Sequence, residues 1–173
     1  MQALAYWKAV TEDRGGFLDR LIAVLREAGV QYCVIGGQGV NAYVEPVVSL
    51  DLDIAVAADS FGVAEAAFSR HFRVERFPHS VNVSDAGSDL RLQLQTDPRY
   101  FHFVARAKPR EVLGVTLPVA SLEDVLQGKV WAVLDATHRP SKRQKDLADI
   151  SRILEAYPEM RARVPDEVLA RLL

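Results

Sequence analysis

Apolar residues recur three and four apart over residues 17–28. Phe17, Leu18, Leu21, Ile22 and Leu25 share one helical face, and Gly29 follows as a C-terminal cap. Tyr32-Cys33-Val34-Ile35 then reads as a short buried strand that ends in Gly36-Gly37. The stretch Val40 to Val44 predicts a short helix stopped by Pro46. From Leu50 to Val56 the polarity alternates with period two: Leu50, Leu52, Ile54 and Val56 face one side, and Asp51, Asp53 and Ala55 the other. A cap at Asp59 or Ser60 opens a helix to about Arg70. Residues 72–77 read as a strand. Val81–Val83 and Leu90–Gln95 are two more, joined by a hairpin turn at Asp85-Ala86-Gly87. Residues 98–118 are mixed and punctuated by proline.

The last third is helical. Ser121 with Asp124 three residues later forms a capping box that opens a helix to about Leu134. Thr137 to Lys142 reads as a polar loop. A helix follows over 143–156, with Leu147, Ile150, Ile153 and Leu154 on one face, and Pro165 opens a last short one. The order predicts an α/β chain, at the border with α+β: a mixed sheet flanked by helices, with a helical C-terminal part. Residues 1–118 form the expected core. Residues 119–173 pack on it in a single compact unit.

Composition narrows the classes of function. The 173 residues carry Lys+Arg 21 against Asp+Glu 23, a net charge of −2. A dedicated duplex-binding protein would carry a basic excess, although a local basic groove is still allowed. Cys33 is alone, so there is no disulfide framework and no cysteine-based zinc site. It reads as a buried strand residue that fits a reducing cytoplasm. No apolar run reaches the roughly 18 residues of a membrane span, so no membrane association is expected. Lys8, Glu12, Asp13 and Arg14 break up the N-terminus in a way that a signal peptide would not.

The candidate chemistry lies in Gly36-Gly37 and, after 13 intervening residues, Asp51-Leu52-Asp53. Two glycines after a strand let the backbone turn sharply and let a phosphate approach the chain. Carboxylates two apart on a strand stand on one face, about 7 Å apart along it. So placed, they can share a hard cation, Mg²⁺ or Mn²⁺, that takes its remaining ligands from substrate phosphates. Two such cations would stabilise both oxygens of an in-line phosphoryl displacement. An Asp-x-Asp on an exposed strand face is otherwise a solvated face, and a diglycine otherwise a turn.

Val34-Ile-Gly-Gly-Gln-Gly-Val-Asn-Ala-Tyr43, followed by Asp51-Leu-Asp-Ile54, resembles the nucleotidyltransferase superfamily, and most closely its AbiEii-like bacterial branch. That branch includes toxins of toxin–antitoxin pairs. Ser121-Leu-Glu-Asp-Val-Leu-Gln-Gly-Lys129 and Lys145-Asp-Leu-Ala-Asp-Ile150 extend the resemblance, which covers roughly residues 17 to 155. It implies a nucleotidyltransferase-like fold and transfer of an NMP from an NTP to an RNA, protein or small-molecule acceptor, with an antitoxin as a further partner. By the same resemblance Gly36, Gly37 and Ser49 would hold the nucleotide, and Asp51 and Asp53 would bind Mg²⁺. Lys129 and Lys145 would face the triphosphate, and Asp146 or Asp149 would orient Lys145.

The sequence also departs from that pattern. The family carries a third carboxylate on a later strand, as a metal ligand and general base. Here the outward positions of Leu90 to Gln95 are Arg91, Gln93 and Gln95, and none is acidic. Gln93 is the matching position, and Asp89 or Asp97 could substitute from the strand's ends. An Arg and a Thr that precede the family's paired acids are Val47 and Ser49 here. The alternative is therefore a catalytically weak or inactive member that binds a nucleotide or a partner. His71, His79, His102 and His138 show no metal-ligand spacing. Arg139, Lys142, Arg143 and Lys145 form a basic run that could clamp phosphate or an RNA backbone. Tyr100 and Phe101 could stack a base, or simply fill the core with Phe72, Phe77 and Phe103.

Overall fold

The computed structural model describes residues 16–172 together with Tyr6 and Asp13. The expected N-terminal charges Lys8, Glu12 and Arg14 lie outside the described residues. Asp13 is buried and caps helix α1 (Phe17–Glu27), accepting hydrogen bonds from the amides of Phe17 at 2.6 Å and Leu18 at 3.4 Å. Then follow β1 (Tyr32–Ile35), α2 (Gly36–Asn41), β2 (Asp51–Val56), α3 (Phe61–Ser69), β3 (Arg73–Arg76), β4 (Ser80–Ser84) and β5 (Arg91–Gln95). A 3₁₀ segment over Pro98–Arg106 leads to β6 (Lys108–Val112) and β7 (Val115–Val119). The chain ends with α4 (Leu122–Leu134), α5 (Pro140–Ala156) and α6 (Asp166–Leu169).

The strands form one seven-stranded mixed sheet in the order β3-β4-β5-β2-β1-β7-β6. β2 lies between an antiparallel β1 and a parallel β5. The alternation in β2 divides the core. Leu52, Ile54 and Val56 join Leu92, Leu94, Val81 and Val83 beneath α1 and α3. Ala55 joins Cys33, Ile35, Tyr100 and Phe103 beneath α4 and α5. Asp51 and Asp53 share the face of Ala55, so the pleat aims both toward the helical C-terminal part.

Five sequence expectations shift. The helix expected at Val40 begins at Gly36, directly off β1, and ends at Asn41, so the diglycine is its first turn and not an open loop. Leu50 falls before β2 and is exposed. The polar loop expected up to Lys142 is shorter, because Pro140 opens α5 in its first turn, where the absent N–H costs nothing. Residues 108–119 contain a hairpin that the prolines concealed. Pro109 and Pro118 face each other in its register, and Leu113-Gly114 turn it with φ of 53° and 80°. That is the backbone of a type I′ turn, made by a residue pair that does not advertise it. The capping box is half formed. Ser121 Oγ accepts the Asp124 amide at 3.2 Å, while the Asp124 carboxylate is held by Arg106 at 2.8 and 2.9 Å.

Candidate functional site

The antiparallel register of β1 and β2 sets Ile35 opposite Asp53, so the chain leaving β1 passes directly over that carboxylate. The next residue is Gly36, with φ +65°. A Cβ there would lie 2.1 Å from Asp53 Oδ2 and 2.9 Å from Asp53 Cβ. Only a residue without a side chain fits, in conformation and in space. The first glycine and the second aspartate are therefore in contact. Gly37 is less constrained, its nearest neighbours being Ser49 Oγ and Asp149 Oδ2 at 3.9 and 4.0 Å from a built Cβ.

Asp53 keeps an edge toward a cavity, but its Oδ1 is sealed and has no hydrogen-bond partner among the described residues. Burial pushes its pKa up to about 6. The ammonium of Lys129 works against that shift, and the negative charge of Asp51 adds to it. Across the parallel pair β2–β5, Asp53 is in register with Gln93, and Gln93 in turn with Asn82 on β4. The strand position beside Asp53 is thus an amide, able to offer a neutral oxygen but not to take a proton. Asp51 stands at the open end of β2, outside the cavity lining. Its Oδ1 accepts from Arg91 Nε and Nη2 at 3.1 and 3.0 Å.

Lys129 is buried on α4. Its Nζ lies 2.8 Å from Asp146 Oδ1 and 2.8 Å from Asp149 Oδ2, both on α5. Burial acts to strip its proton, but the two carboxylates outweigh that, and its pKa stands above the ordinary lysine value. Lys129 therefore carries a charge that holds the two helices together beneath Asp53. Arg152 completes the group. It donates to Asp149 at 2.8 Å, to Asn41 Oδ1 at 2.9 Å and to the Glu45 carbonyl at 2.6 Å. The chain preceding β2 is thereby tied to both α2 and α5. Ser49 is buried within it, its Oγ 3.4 Å from the Asp51 amide, and Gln38 donates to the Ser49 carbonyl at 3.1 Å. Arg152 and Gln38 were not anticipated. The i,i+3 spacing of Asp149 and Arg152 was the one available signal for the arginine.

A cavity of about 150 Å³ lies between the sheet and α4 and α5, lined by Gly36, Asp53, Gln93, Lys129 and Asp146. Lys142, from the basic run, reaches its wall, as do His79 and His138. An adjoining cleft of about 460 Å³ shares His79, Gln95, Tyr100, Ala132 and His138 with it. Other candidates lie elsewhere. Lys145 is exposed on the outer side of α5 and is not part of the lining. Asp89 is exposed in the turn before β5 and is also outside it. Asp97 caps the 3₁₀ segment and pairs with Arg99 at 2.7 Å, which holds its carboxyl below the usual range. Tyr100 reaches the cavity wall and is largely buried, in edge contact with Phe103 and Trp131. Among the described residues no three His, Cys, Asp or Glu side chains are grouped so as to hold a metal ion.

A family model described as the nucleotidyl transferase AbiEii toxin of a type IV toxin–antitoxin system matches residues 9–172. No curated protein matches the chain. Among solved structures, the fold is similar to that of ANT(2'')-Ia in complex with adenylyl-2''-tobramycin. The TM-score is 0.55 at 16% identity, over 85% of this chain and 96% of that one. It is similar to an antigenic nucleotidyltransferase-like protein from Paracoccidioides brasiliensis, with TM-score 0.52 at 17% identity, over 86% and 75% of the two chains. The lincosamide antibiotic adenylyltransferase LnuA, solved with lincomycin bound, gives 0.51 at 13% identity, over 79% and 95%. At such identities the likeness concerns the fold alone.

Proposed function

This chain belongs to the AbiEii nucleotidyltransferase family, and from that premise we propose that it transfers an NMP from an NTP to an acceptor with Mg²⁺, releasing pyrophosphate. The observation that carries the reading is the contact of Gly36 with Asp53. A bare backbone turn and a carboxylate with an orphaned, buried oxygen form the floor of one cavity.

The donor set fits a divalent cation that arrives with part of its coordination already supplied. Asp53 Oδ1 lacks a partner, Asp51 stands on the same strand face, and Mg²⁺ commonly takes one or two protein carboxylates plus substrate phosphates. Asp51 and Asp53 would hold it, and when bound it supplies Lewis-acid stabilisation of the charge that develops on the transferred phosphoryl group. Gly36, with no side chain, leaves room for the Asp53 carboxylate to lie against the chain. Lys142 on the wall neutralises phosphate charge. Lys129 sets the positive potential under Asp53 and fixes α4 against α5, so the cavity keeps its shape without a ligand. At about 150 Å³ the cavity is smaller than a typical ligand pocket of roughly 300 Å³ or more, and suits the reacting end of a nucleotide. The adjoining cleft gives room for what extends beyond it.

A second reading, a nucleotide-binding member without turnover, is favoured by one observation: the position in register with Asp53 is Gln93, which cannot accept the acceptor's proton. The test is calorimetry with each Mg²⁺–NTP, followed by pyrophosphate release with RNA, protein and small-molecule acceptors, on wild type and Asp53→Asn. Release that Asp53→Asn abolishes supports transfer. Binding without release against every acceptor supports the second reading, and absence of nucleotide binding refutes both. A toxin role belongs to the same proposal. Expression of the wild type should arrest growth, and expression of Asp53→Asn should not.

A further inference from the structure

Arg91 stands where it opposes the chemistry just described. Its Nε and Nη2 converge on a single oxygen of Asp51, the outer of the two proposed metal ligands. Lys129 and Arg152 offset Asp146 and Asp149 in the same way. Of the four carboxylates, Asp53 alone has no cation within ion-pair distance among the described residues. A site so balanced draws a free divalent cation weakly, and the missing attraction must come from the nucleotide's phosphates.

We infer that Arg91 holds Asp51 in the nucleotide-free protein and exchanges it for a phosphate of the incoming metal–nucleotide, so that cation and nucleotide enter together. The inference rests on the nucleotidyltransferase reading and adds to it a binding residue and an order of binding. Two properties of Arg91 suit the exchange. Its side chain is 57% exposed and that of Asp51 31%, so their ion pair is screened and easily given up. Its guanidinium is planar, always charged, and able to bind phosphate through two parallel N–H groups. Its release also frees Asp51 at the moment the cation needs a second carboxylate.

The test measures binding rather than turnover. Free Mn²⁺ is titrated by electron paramagnetic resonance, and Mn²⁺ with each α,β-methylene nucleoside triphosphate by calorimetry, on wild type, Arg91→Gln, Arg91→Lys and Asp53→Asn. Arg91→Gln should bind free Mn²⁺ roughly threefold tighter than wild type, because the competing cation is gone. It should bind the Mn²⁺–nucleotide roughly tenfold more weakly, because a charge-assisted phosphate contact is lost. Arg91→Lys should fall between. Opposite signs for the two ligands are what a merely structural arginine would not produce. If wild type binds a Mn²⁺–nucleotide and Asp53→Asn does not, but Arg91→Gln leaves both affinities unchanged or moves them together, this inference alone is overturned. If wild type binds none of the analogues, the nucleotidyltransferase reading is overturned with it.

Discussion

Asp53→Asn should make the protein more stable at neutral pH while it removes nucleotide binding. The magnitude follows from the carboxyl's surroundings. Its pKa moves from 3.8 to about 6 because burial disfavours the charged form more than Lys129 favours it. That is about 2 pKa units, or about 3 kcal/mol by which ionised Asp53 weakens the fold at high pH. The sign runs with the protons. Between the two pKa values the folded state binds more protons than the unfolded chain, so stability falls as pH rises through this window and levels off above it. Asparagine keeps the shape and has no charge to desolvate. The advantage of Asp53→Asn over wild type should therefore grow from about 0.5 kcal/mol at pH 4 to about 3 kcal/mol at pH 7 and then stay flat. Urea unfolding of both proteins at several pH values in that range measures it. A variant less stable than wild type at pH 7, or an advantage that does not shrink on acidification, would refute the reasoning. So would restoration of the wild-type pH dependence in the variant.

Gly36→Ala should lose about 2–4 kcal/mol, from the left-handed backbone and the overlap with Asp53 Oδ2. Thermal melts should show the steric part recovered in Gly36→Ala/Asp53→Ala, and a strictly additive double variant would disprove the contact. Lys129→Met should cost about 3–5 kcal/mol by leaving Asp146 buried without a cation and Asp149 with Arg152 alone. Adding Asp146→Asn and Asp149→Asn should restore most of it in chemical denaturation, and no recovery would mean that packing, not charge, sets the loss. Burial, reinforced by the charge of Asp124, pushes the Cys33 thiol up to about 12. Cys33 should therefore stay inert to a disulfide reagent at pH 8 until denaturant is added, and fast labelling of the folded protein would contradict its place in the core.

How much of the site was readable along the chain depends on the range of the interaction. The period-two pattern of residues 50–56 settles that Asp51 and Asp53 share a face, because the pleat is a local property. The helices α1 and α5 follow from apolar spacing and α4 from the Ser121/Asp124 signal at its start, for the same reason. The hairpin at 108–119 was hidden because prolines argue against strands, and only the neighbouring strand shows them to be tolerated there. Gln93 could be named as the residue beside Asp53 only by analogy. The register of β2 with β5 makes it so.

The sequence by itself determined the parts: a diglycine after a strand, two acids on one face of another, a capped helix carrying Lys129, and the absence of an acid where a third would stand. Tertiary structure decided which parts meet. Gly36 touches Asp53 because β1 and β2 pair antiparallel in one register. Lys129 turns inward to Asp146 and Asp149 because α4 packs on α5. Lys145 faces outward, one residue from a buried aspartate, because a helix turns its side chains by about 100° per residue. Arg91 reaches Asp51 across 40 residues of sequence because two strands are parallel neighbours. Local periodicity sets the face a side chain occupies, but the charge it meets there comes from chain far away in sequence, and only the packed fold brings the two within range.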